Sequence, residues 1–423
     1  MQKTALLFPG QGSQYVGMGK SLHDQYAVAR ETFEEAQDVL GFHLGQLCFE
    51  GDLAELTKTE NTQPAILTAS VAAYRVCMQV FNLKPDFGAG HSLGEFSALV
   101  CAGAVSFADA LRLVRQRGLL MQEAAMHGAG RMVAVTRISG ELAEQVCASI
   151  SRPDHIVVVS NYNEKQQTVI SGHTDAVSEA CQILQAYDAA LIPLEVSAAF
   201  HSPLMENAAS SFEPLLRTFA FQPTGYPVIS NVTAQPYAGT ENIADQLAMQ
   251  MTHAVQWTRT MEYLDHERVG LALELGPKQV LKKMMLKHSP QVTALSLDLK
   301  TDWSILEKYL ASQEKAVQAG KPSFLGKCLA IAVSTQNRNW NQEEYQKGVV
   351  EPYNRIKWLQ EQIESGAREL TADDMKAGID MLRSVFATKG VPSAEQNGRF
   401  QQLMDQTGTR AAVEPFLAPV EAL

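Results

Sequence analysis

A serine between glycines is the first residue of this chain that could do chemistry. The segment Gly90-His91-Ser92-Leu93-Gly94 fits the pattern G-x-S-x-G and stands between a short apolar strand pattern and an apolar helical pattern. In that context the pattern is typical of a nucleophile elbow, a tight strand-to-helix turn that exposes the serine hydroxyl. Backbone N–H groups at the start of the helix can then stabilise an oxyanion. Five-residue patterns with two glycines are common, so a chance match stays the alternative.

A serine nucleophile needs a general base, and ten histidines are available. His201 stands between a predicted strand and a predicted helix, where α/β folds commonly place active-site loops. His253 precedes an apolar segment and is ambiguous, and His91 lies inside the elbow, where it fits a role in supporting the turn. From the pattern alone, a helix-capping or core histidine is favoured over a catalytic base at position 201.

An arginine occupies the apolar side of a helix predicted over residues 106–125. Arg117 is surrounded on the helix surface by four apolar residues at i−4, i−3, i+3 and i+4, namely Leu113, Val114, Leu120 and Met121. A buried guanidinium must be paired, since an uncompensated buried charge is strongly destabilising. The partner is either an internal Asp or Glu, which is the usual case, or a carboxylate substrate that the guanidinium binds bidentately. The pattern does not choose between them.

Composition excludes several classes of protein. The chain has 423 residues, of which 46% are hydrophobic and 19% are charged, so it can bury a large core and is not intrinsically disordered. A net charge of -11 without basic runs predicts no nucleic-acid binding. Six scattered cysteines without a C-x-x-C pair argue against zinc ribbons and disulfide scaffolds and predict a cytoplasmic protein. Because Arg75 and Gln79 interrupt the longest apolar stretch, we expect no membrane span.

Alternating strand and helix patterns through about residue 312 predict an α/β fold with a mainly parallel sheet covered on both faces. Within 132–195 the order strand, helix, two strands, helix, strand matches a ferredoxin-like unit inserted in the larger domain. After a linker-like stretch at 318–323 the pattern becomes helical, although the apolar run Cys328–Val333 fits either a strand or a helical turn. The predicted strands are Thr4–Phe8, Phe87–Gly90, Met132–Val135, Ile156–Ser160, Thr168–Ser171, Leu191–Leu194, Pro227–Ser230 and Leu271–Leu275.

We therefore expect three parts: a large α/β subdomain over 1–127 and 196–312, a ferredoxin-like small subdomain over 128–195, and a helical C-terminal extension over 320–423.

Further motifs stand in order along the first 300 residues. These motifs are Pro9-Gly10-Gln11-Gly12-Ser13-Gln14, Thr62-Gln63-Pro64-Ala65, Asn161, Gly172, Ala199-Phe200-His201-Ser202, Ser230-Asn231-Val232-Thr233, Gln250, Val255-Gln256-Trp257 and Glu274-Leu275-Gly276-Pro277. Together with the Ser92 and Arg117 segments, they give a resemblance to the malonyl-CoA:acyl carrier protein transacylases, the acyltransferases of fatty-acid and polyketide synthesis.

The resemblance implies a role for each matching residue. Ser92 would form the acyl-enzyme ester, His201 would be its base, and the backbone carbonyl of Gln250 would orient the histidine. Gln11 and Leu93 would supply backbone N–H groups to the oxyanion.

Arg117 would bind the free carboxylate of the malonyl group, and Phe200 would leave little room for a branch on the α-carbon, so malonyl would be preferred over methylmalonyl. The implied fold is an α/β-hydrolase-like core whose cleft is covered by the ferredoxin-like part.

The resemblance implies neither a metal nor a redox cofactor. Malonyl-CoA would be the donor, and the phosphopantetheine arm of an acidic acyl carrier protein would be the acceptor. An acidic enzyme needs a local basic patch for such a partner. The densest candidate comprises Lys282, Lys283, Lys287 and His288, although an ordinary solvated helix end is slightly favoured.

Three readings of the chain stay open at this point. A malonyl transferase is favoured by Arg117, and an acyl hydrolase that clears carrier proteins is the alternative within the same fold. A non-catalytic carrier-protein-binding subunit is disfavoured by the joint presence of Ser92, His201 and the oxyanion loop.

The helical C-terminal extension over 320–423 could pack on the core, dimerise or dock a synthase partner. Its presence on a standalone acyltransferase hints at a polyketide synthase that lacks built-in acyltransferases.

Overall fold

Two units make up the chain, Met1–Lys308 and Tyr309–Leu423. The structure is a computed structural model that describes residues 2–127, 130–194, 198–319 and 323–417. The strands of the first unit are β1 Lys3–Phe8, β2 Phe87–Gly90, β3 Gly130–Thr136, β4 Val157–Glu164, β5 Gln167–His173, β6 Ala190–Pro193, β7 Val228–Ile229, β8 Val269–Glu274 and β9 Thr293–Ser296.

Helices connect these strands, and the last of them continues past the boundary between the two units. They are α1 Lys20–Gln25, α2 Ala27–Leu40, α3 Leu44–Glu50, α4 Leu53–Thr57, α5 Thr59–Phe81, α6 Leu93–Cys101, α7 Phe107–His127, α8 Gly140–Ile150, α9 Thr174–Gln185, α10 Glu206–Leu216, α11 Ile243–Gln250, α12 Trp257–His266, α13 Val280–His288 and α14 Lys300–Ala319. Short 3₁₀ turns lie at Pro203–Met205 and Thr240–Asn242.

A parallel five-stranded sheet forms the centre of the first unit, in the order β7-β2-β1-β8-β9. Its strands read as continuous apolar runs because both faces are covered. Ala5 and Leu7 of β1 share a hydrophobic cluster with residues of α12 and α13. Since side chains alternate along a strand, Leu6 and Phe8 point to the opposite face, and α6 contacts β1 and β2. The predicted parallel α/β core is confirmed.

Close backbone approach explains the two glycines of the elbow between β2 and α6. A Cβ atom on Gly90 would lie 1.9 Å from the carbonyl carbon of Gly94, and one on Gly94 would lie 2.0 Å from the Phe8 oxygen. No side chain fits in either space. The glycines therefore let α6 start directly over the ends of β2 and β1.

A second, antiparallel sheet has the strand order β4-β5-β3-β6. Helices α8 and α9 contribute to the same hydrophobic cluster as its strands, for example through Val146 and Val177 against Val133 and Ile170. The chain order β3-α8-β4-β5-α9-β6 with this strand order is that of a ferredoxin-like unit. This part of the fold prediction is also confirmed.

Among the described residues, one helix is long and apolar enough to cross a membrane by length and composition, namely α5. Two-thirds of its most apolar window is buried inside the protein, and the helix contacts α2, α6 and α7. Its apolar sequence is accounted for by this central position in the first unit.

The second unit is helical and has a hydrophobic cluster of its own, which includes Phe324, Ile356, Leu382 and Phe386. The apolar run Cys328–Val333, which fitted either a strand or a helical turn in the sequence, lies within a helix. Beside a π-helical turn at Gln346–Val350, the helices of this unit are α15 Phe324–Ser334, α16 Gln342–Tyr345, α17 Glu351–Glu364, α18 Ala372–Thr388, α19 Ser393–Thr407 and α20 Arg410–Leu417.

Pro352 does not break a helix here, because it lies in the first turn of α17. Backbone N–H groups in the first turn make no intrahelical hydrogen bond, so the N–H that proline lacks is not missed. Of the linker-like stretch, residues 318–319 end α14, and residues 320–322 lie outside the described residues. The predicted three-part division at 127, 195, 312 and 320 stays a prediction.

Candidate active site

Ser92 occupies a strained turn at the carboxyl end of β2. Its φ of 51° and ψ of -108° lie outside the regions that non-glycine residues favour. The Asn231 side chain secures the turn: its Oδ1 accepts a hydrogen bond from the Ser92 N–H at 2.6 Å, and its Nδ2 donates to the Gly90 oxygen at 2.6 Å. The serine hydroxyl is thereby held at the head of α6, as the elbow pattern predicts.

His201 faces that hydroxyl. Its Nε2 lies 2.8 Å from Ser92 Oγ, and its Nδ1 lies 2.7 Å from the backbone oxygen of Gln250. A carbonyl only accepts hydrogen bonds, so Nδ1 carries the proton and Nε2 is left as an acceptor for the serine proton. His253 is exposed and contacts Met249 and Thr252 instead.

Burial keeps His201 neutral. The ring is 4% exposed, and desolvation, assisted by the positive charge of Arg117, lowers its pKa to about 3, although the hydrogen bond to Gln250 acts in the opposite direction. A histidine that is neutral at all moderate pH values is ready to accept a proton.

Arg117 is 1% exposed and makes only neutral contacts. Its Nη1 donates to Gln63 Oε1 at 2.9 Å, and its Nη2 donates to Gln250 Oε1 at 2.8 Å and lies 3.3 Å from Ser92 Oγ. The Nε–H has no hydrogen-bond partner among the residues that the structure describes. Within the described residues no carboxylate lies within ion-pair distance of the guanidinium, so the structure does not provide the internal acid partner. Burial lowers the pKa of Arg117 to about 10.

A buried carboxylate lies behind these groups. Glu95 of α6 is 1% exposed and accepts hydrogen bonds from Gln250 Nε2 at 2.6 Å, from the Asn231 N–H at 3.2 Å and from the Tyr237 hydroxyl. Burial raises its pKa to about 7, against the effect of these hydrogen bonds and of the Arg117 charge. Sequence reasoning gave Glu95 no role; an acidic residue inside an otherwise apolar helix was the available signal.

A cleft of about 290 Å³ opens onto Ser92, His201 and Arg117. Gln11, Leu93 and Phe200 also border it. Among the described residues, neither the Gln11 N–H nor the Leu93 N–H has an acceptor within the protein, and both are available to an oxyanion. The structure therefore brings all the predicted site residues together, with Gln250 just behind the cleft. In the described part of the chain no group of three or more His, Cys, Asp or Glu side chains could hold a metal ion.

The candidate basic patch on α13 is partly neutralised. Lys282 pairs with the buried Asp302 at 2.6 Å, and Lys287 pairs with Glu164. Two of its three lysines are thus compensated within the protein, which weakens the attraction that this patch can offer an acidic partner.

Comparisons with known proteins place the chain in a family. Residues 5–295 match the family model described as "Acyl transferase domain". A malonyl CoA-acyl carrier protein transacylase from Bacillus subtilis is 39% identical over 396 residues, which cover 94% of this chain and 99% of that protein. The chain belongs to the malonyl CoA-acyl carrier protein transacylase family. The resemblance predicted from the motifs is confirmed.

Other transacylases show which part is common to the family. The Escherichia coli K12 transacylase is 40% identical over 299 residues, covering 70% of this chain and 96% of that protein. The crystal structure of FabD from Acinetobacter baumannii has a TM-score of 0.71 and 39% identity, and covers 74% of this chain and 99% of that one. A transacylase in complex with a type II polyketide synthase acyl carrier protein has a TM-score of 0.69 and 38% identity, over 71% of this chain and 97% of that one.

The second unit is not unique to this transacylase. The Bacillus subtilis match covers more of the chain than the first unit contains, so it must include most of the helical extension. The motif resemblance, which ended near residue 300, agrees with the extent of the family model, and the Bacillus subtilis relative shares the helical extension in addition.

The neutral state of His201 generates a prediction on pH. Reaction of Ser92 with an uncharged sulfonylating or phosphonylating reagent should not slow as the pH falls through about 6.5, the ordinary histidine value, because His201 is protonated only near pH 3. In Arg117→Ala the cation that depresses the pKa is gone, so the acidic limb of the rate profile should move upward. An acidic limb near 6.5 in the unaltered protein would contradict the described environment of His201.

Proposed function

We propose that the protein transfers a malonyl group from malonyl-CoA to the phosphopantetheine thiol of an acyl carrier protein, through an ester on Ser92. One observation carries the choice of acyl group. The guanidinium of Arg117, which lacks a carboxylate partner among the described residues, lies 3.3 Å from the Ser92 hydroxyl at the cleft. A malonyl thioester brings a free carboxylate to that position when its carbonyl carbon reaches Ser92, and pairing there removes the cost of an uncompensated buried charge.

In the first half-reaction His201 Nε2 takes the proton of Ser92 as its oxygen attacks the thioester carbonyl. The N–H groups of Gln11 and Leu93 stabilise the tetrahedral oxyanion. Collapse breaks the carbon–sulfur bond, and His201 returns the proton to the leaving CoA thiolate. The second half-reaction runs in reverse: the carrier thiol gives its proton to His201 and attacks the ester, and Ser92 recovers its proton. No oxidation or reduction occurs.

Arg117 also orients the acyl chain. Charge-assisted hydrogen bonds to the carboxylate fix the malonyl ester in one position. This orientation helps to protect the ester from hydrolysis before the carrier thiol arrives. Retention of the ester distinguishes a transferase from a hydrolase of the same fold.

The relatives from Bacillus subtilis and Escherichia coli are bacterial proteins. Another transacylase was solved in complex with an acyl carrier protein. For this chain we propose the cytoplasm as the site of action. The six cysteines, all of them free thiols in the described structure, agree with a reducing compartment.

Intact-mass measurement tests the proposed function. After incubation with a mixture of acyl-CoAs, the protein should gain the mass of one malonyl group, and Ser92→Ala should gain none. Added holo carrier protein should then acquire the malonyl group while the enzyme returns to its original mass. Rapid loss of the ester to water would instead indicate a hydrolase, and the absence of any adduct would indicate a binding protein.

Arg117→Ala should lose the preference for malonyl-CoA over acetyl-CoA. The loss of charge-assisted hydrogen bonds to the carboxylate should lower kcat/KM for malonyl-CoA on the order of 100-fold, and acetyl-CoA should be affected much less. Arg112→Ala, which removes an exposed arginine of the same helix, is the matched control. Equal effects on both donors would show that Arg117 does not select the acyl group.

Phe200→Ser should admit a branched donor. Phe200 is 7% exposed and borders the cleft beside His201, so its ring restricts the space around the α-carbon. We expect methylmalonyl-CoA loading to rise relative to malonyl-CoA by about 10-fold, as measured by competition and intact mass. An unchanged ratio would place the steric restriction elsewhere in the cleft.

A further inference from the structure

The side chain of Gln250 links the guanidinium of Arg117 to the buried carboxyl group of Glu95. Its Oε1 accepts from Arg117 Nη2 at 2.8 Å, while its Nε2 donates to Glu95 Oε2 at 2.6 Å and to the Ser92 oxygen at 3.0 Å. The side chain is fully buried, and both ends of its amide are satisfied. The hydrogen bond to His201 comes from the backbone of the same residue and not from this amide.

Chemistry fixes which end of the amide faces Arg117. A carboxylate and a backbone carbonyl only accept hydrogen bonds, so the Gln250 NH₂ must face Glu95 and Ser92. The carbonyl oxygen is then the end that meets the guanidinium. The reverse orientation would direct N–H donors at the N–H donors of Arg117.

Glu95 is itself held in place. Its Oε1 accepts from the Tyr237 hydroxyl and from the Asn231 N–H. Glu95, Tyr237 and Gln250 do not border the cleft, so none of them touches the substrate directly. Their effect on the reaction must pass through Arg117 or through the elbow.

We infer that Glu95 and Tyr237 are positioning residues for the malonyl carboxylate: they lock the Gln250 amide so that its oxygen holds the Arg117 guanidinium beside Ser92. The inference rests on the proposed function and adds a specificity role to two residues outside the cleft. Glu95 also acts electrostatically on Arg117: it raises the pKa of the guanidinium against the larger, opposite effect of burial.

The conservative variants Glu95→Gln and Tyr237→Phe test this inference. A glutamine at 95 can offer NH₂ to Gln250 and so permits the reversed amide. We expect the ratio of malonyl-CoA to acetyl-CoA kcat/KM to fall by about 10-fold in Glu95→Gln and by about 3-fold in Tyr237→Phe, since the latter removes one hydrogen bond to the acid. Acetyl-CoA lacks the free carboxylate and serves as the internal reference.

Matched controls are an exposed glutamate and a remote tyrosine, both on α12. Glu262→Gln and Tyr263→Phe make the same chemical changes away from the site and should leave the ratio unchanged. Thermal unfolding of each variant shows whether it is folded. If Glu95→Gln does not fold, the selectivity ratio of Tyr237→Phe tests the inference.

A second measurement separates binding of the malonyl carboxylate by Arg117 from formation of the ester on Ser92. In a Ser92→Ala background, calorimetric binding of malonyl-CoA should weaken when Glu95→Gln is added, and binding of acetyl-CoA should not. An equal loss for both donors, or no change in the selectivity ratio, would overturn the inference. Failure of the unaltered enzyme to form a malonyl ester would instead overturn the proposed function, so the two failures are distinguishable.

Discussion

The rest of this site depends on a buried guanidinium that has no carboxylate beside it in the described part of the chain. Arg117 is held by the amide oxygens of Gln63 and Gln250, which satisfy two of its nitrogens but do not neutralise its charge. Such a cation is unfavourable inside a protein until an anion joins it. Because Arg117 lies next to Ser92, an anion that pairs with it also lies close to the carbon that reacts with the serine. The positive charge of Arg117 also helps to keep His201 in the neutral form.

The scaffold brings these groups together because the parallel sheet ends at the cleft. Gln11 follows β1 and Ser92 follows β2, so the carboxyl ends of two neighbouring parallel strands place both residues at the cleft. Helix α7 carries Arg117, and the end of α11 carries Gln250. The small sheet contributes Met132 and Asn161 to the opposite wall of the cleft.

Local patterns in the sequence revealed Ser92 and Arg117, because glycine spacing and helix periodicity act over a few residues. The partnership of His201 with Gln250 joins residues 49 apart and came only from the family resemblance. Glu95 and Tyr237, 142 residues apart, had no local signal that could join them. The fold class was predictable from strand alternation, whereas the short strand β9 and the π-helical turn at Gln346–Val350 were not, since packing and not propensity forms them.

The peptide oxygen of Gln250 accepts a hydrogen bond from His201, and its side-chain oxygen accepts one from Arg117. Every amino acid has a peptide carbonyl, so replacement of residue 250 leaves the histidine's support available wherever the backbone stays in place. Under the proposed function, the selection of the donor and the activation of Ser92 therefore depend on different atoms of one residue. Under the same proposal, a change of the side chain at position 250 would alter the preferred acyl group while the backbone acceptor of His201 stays in place.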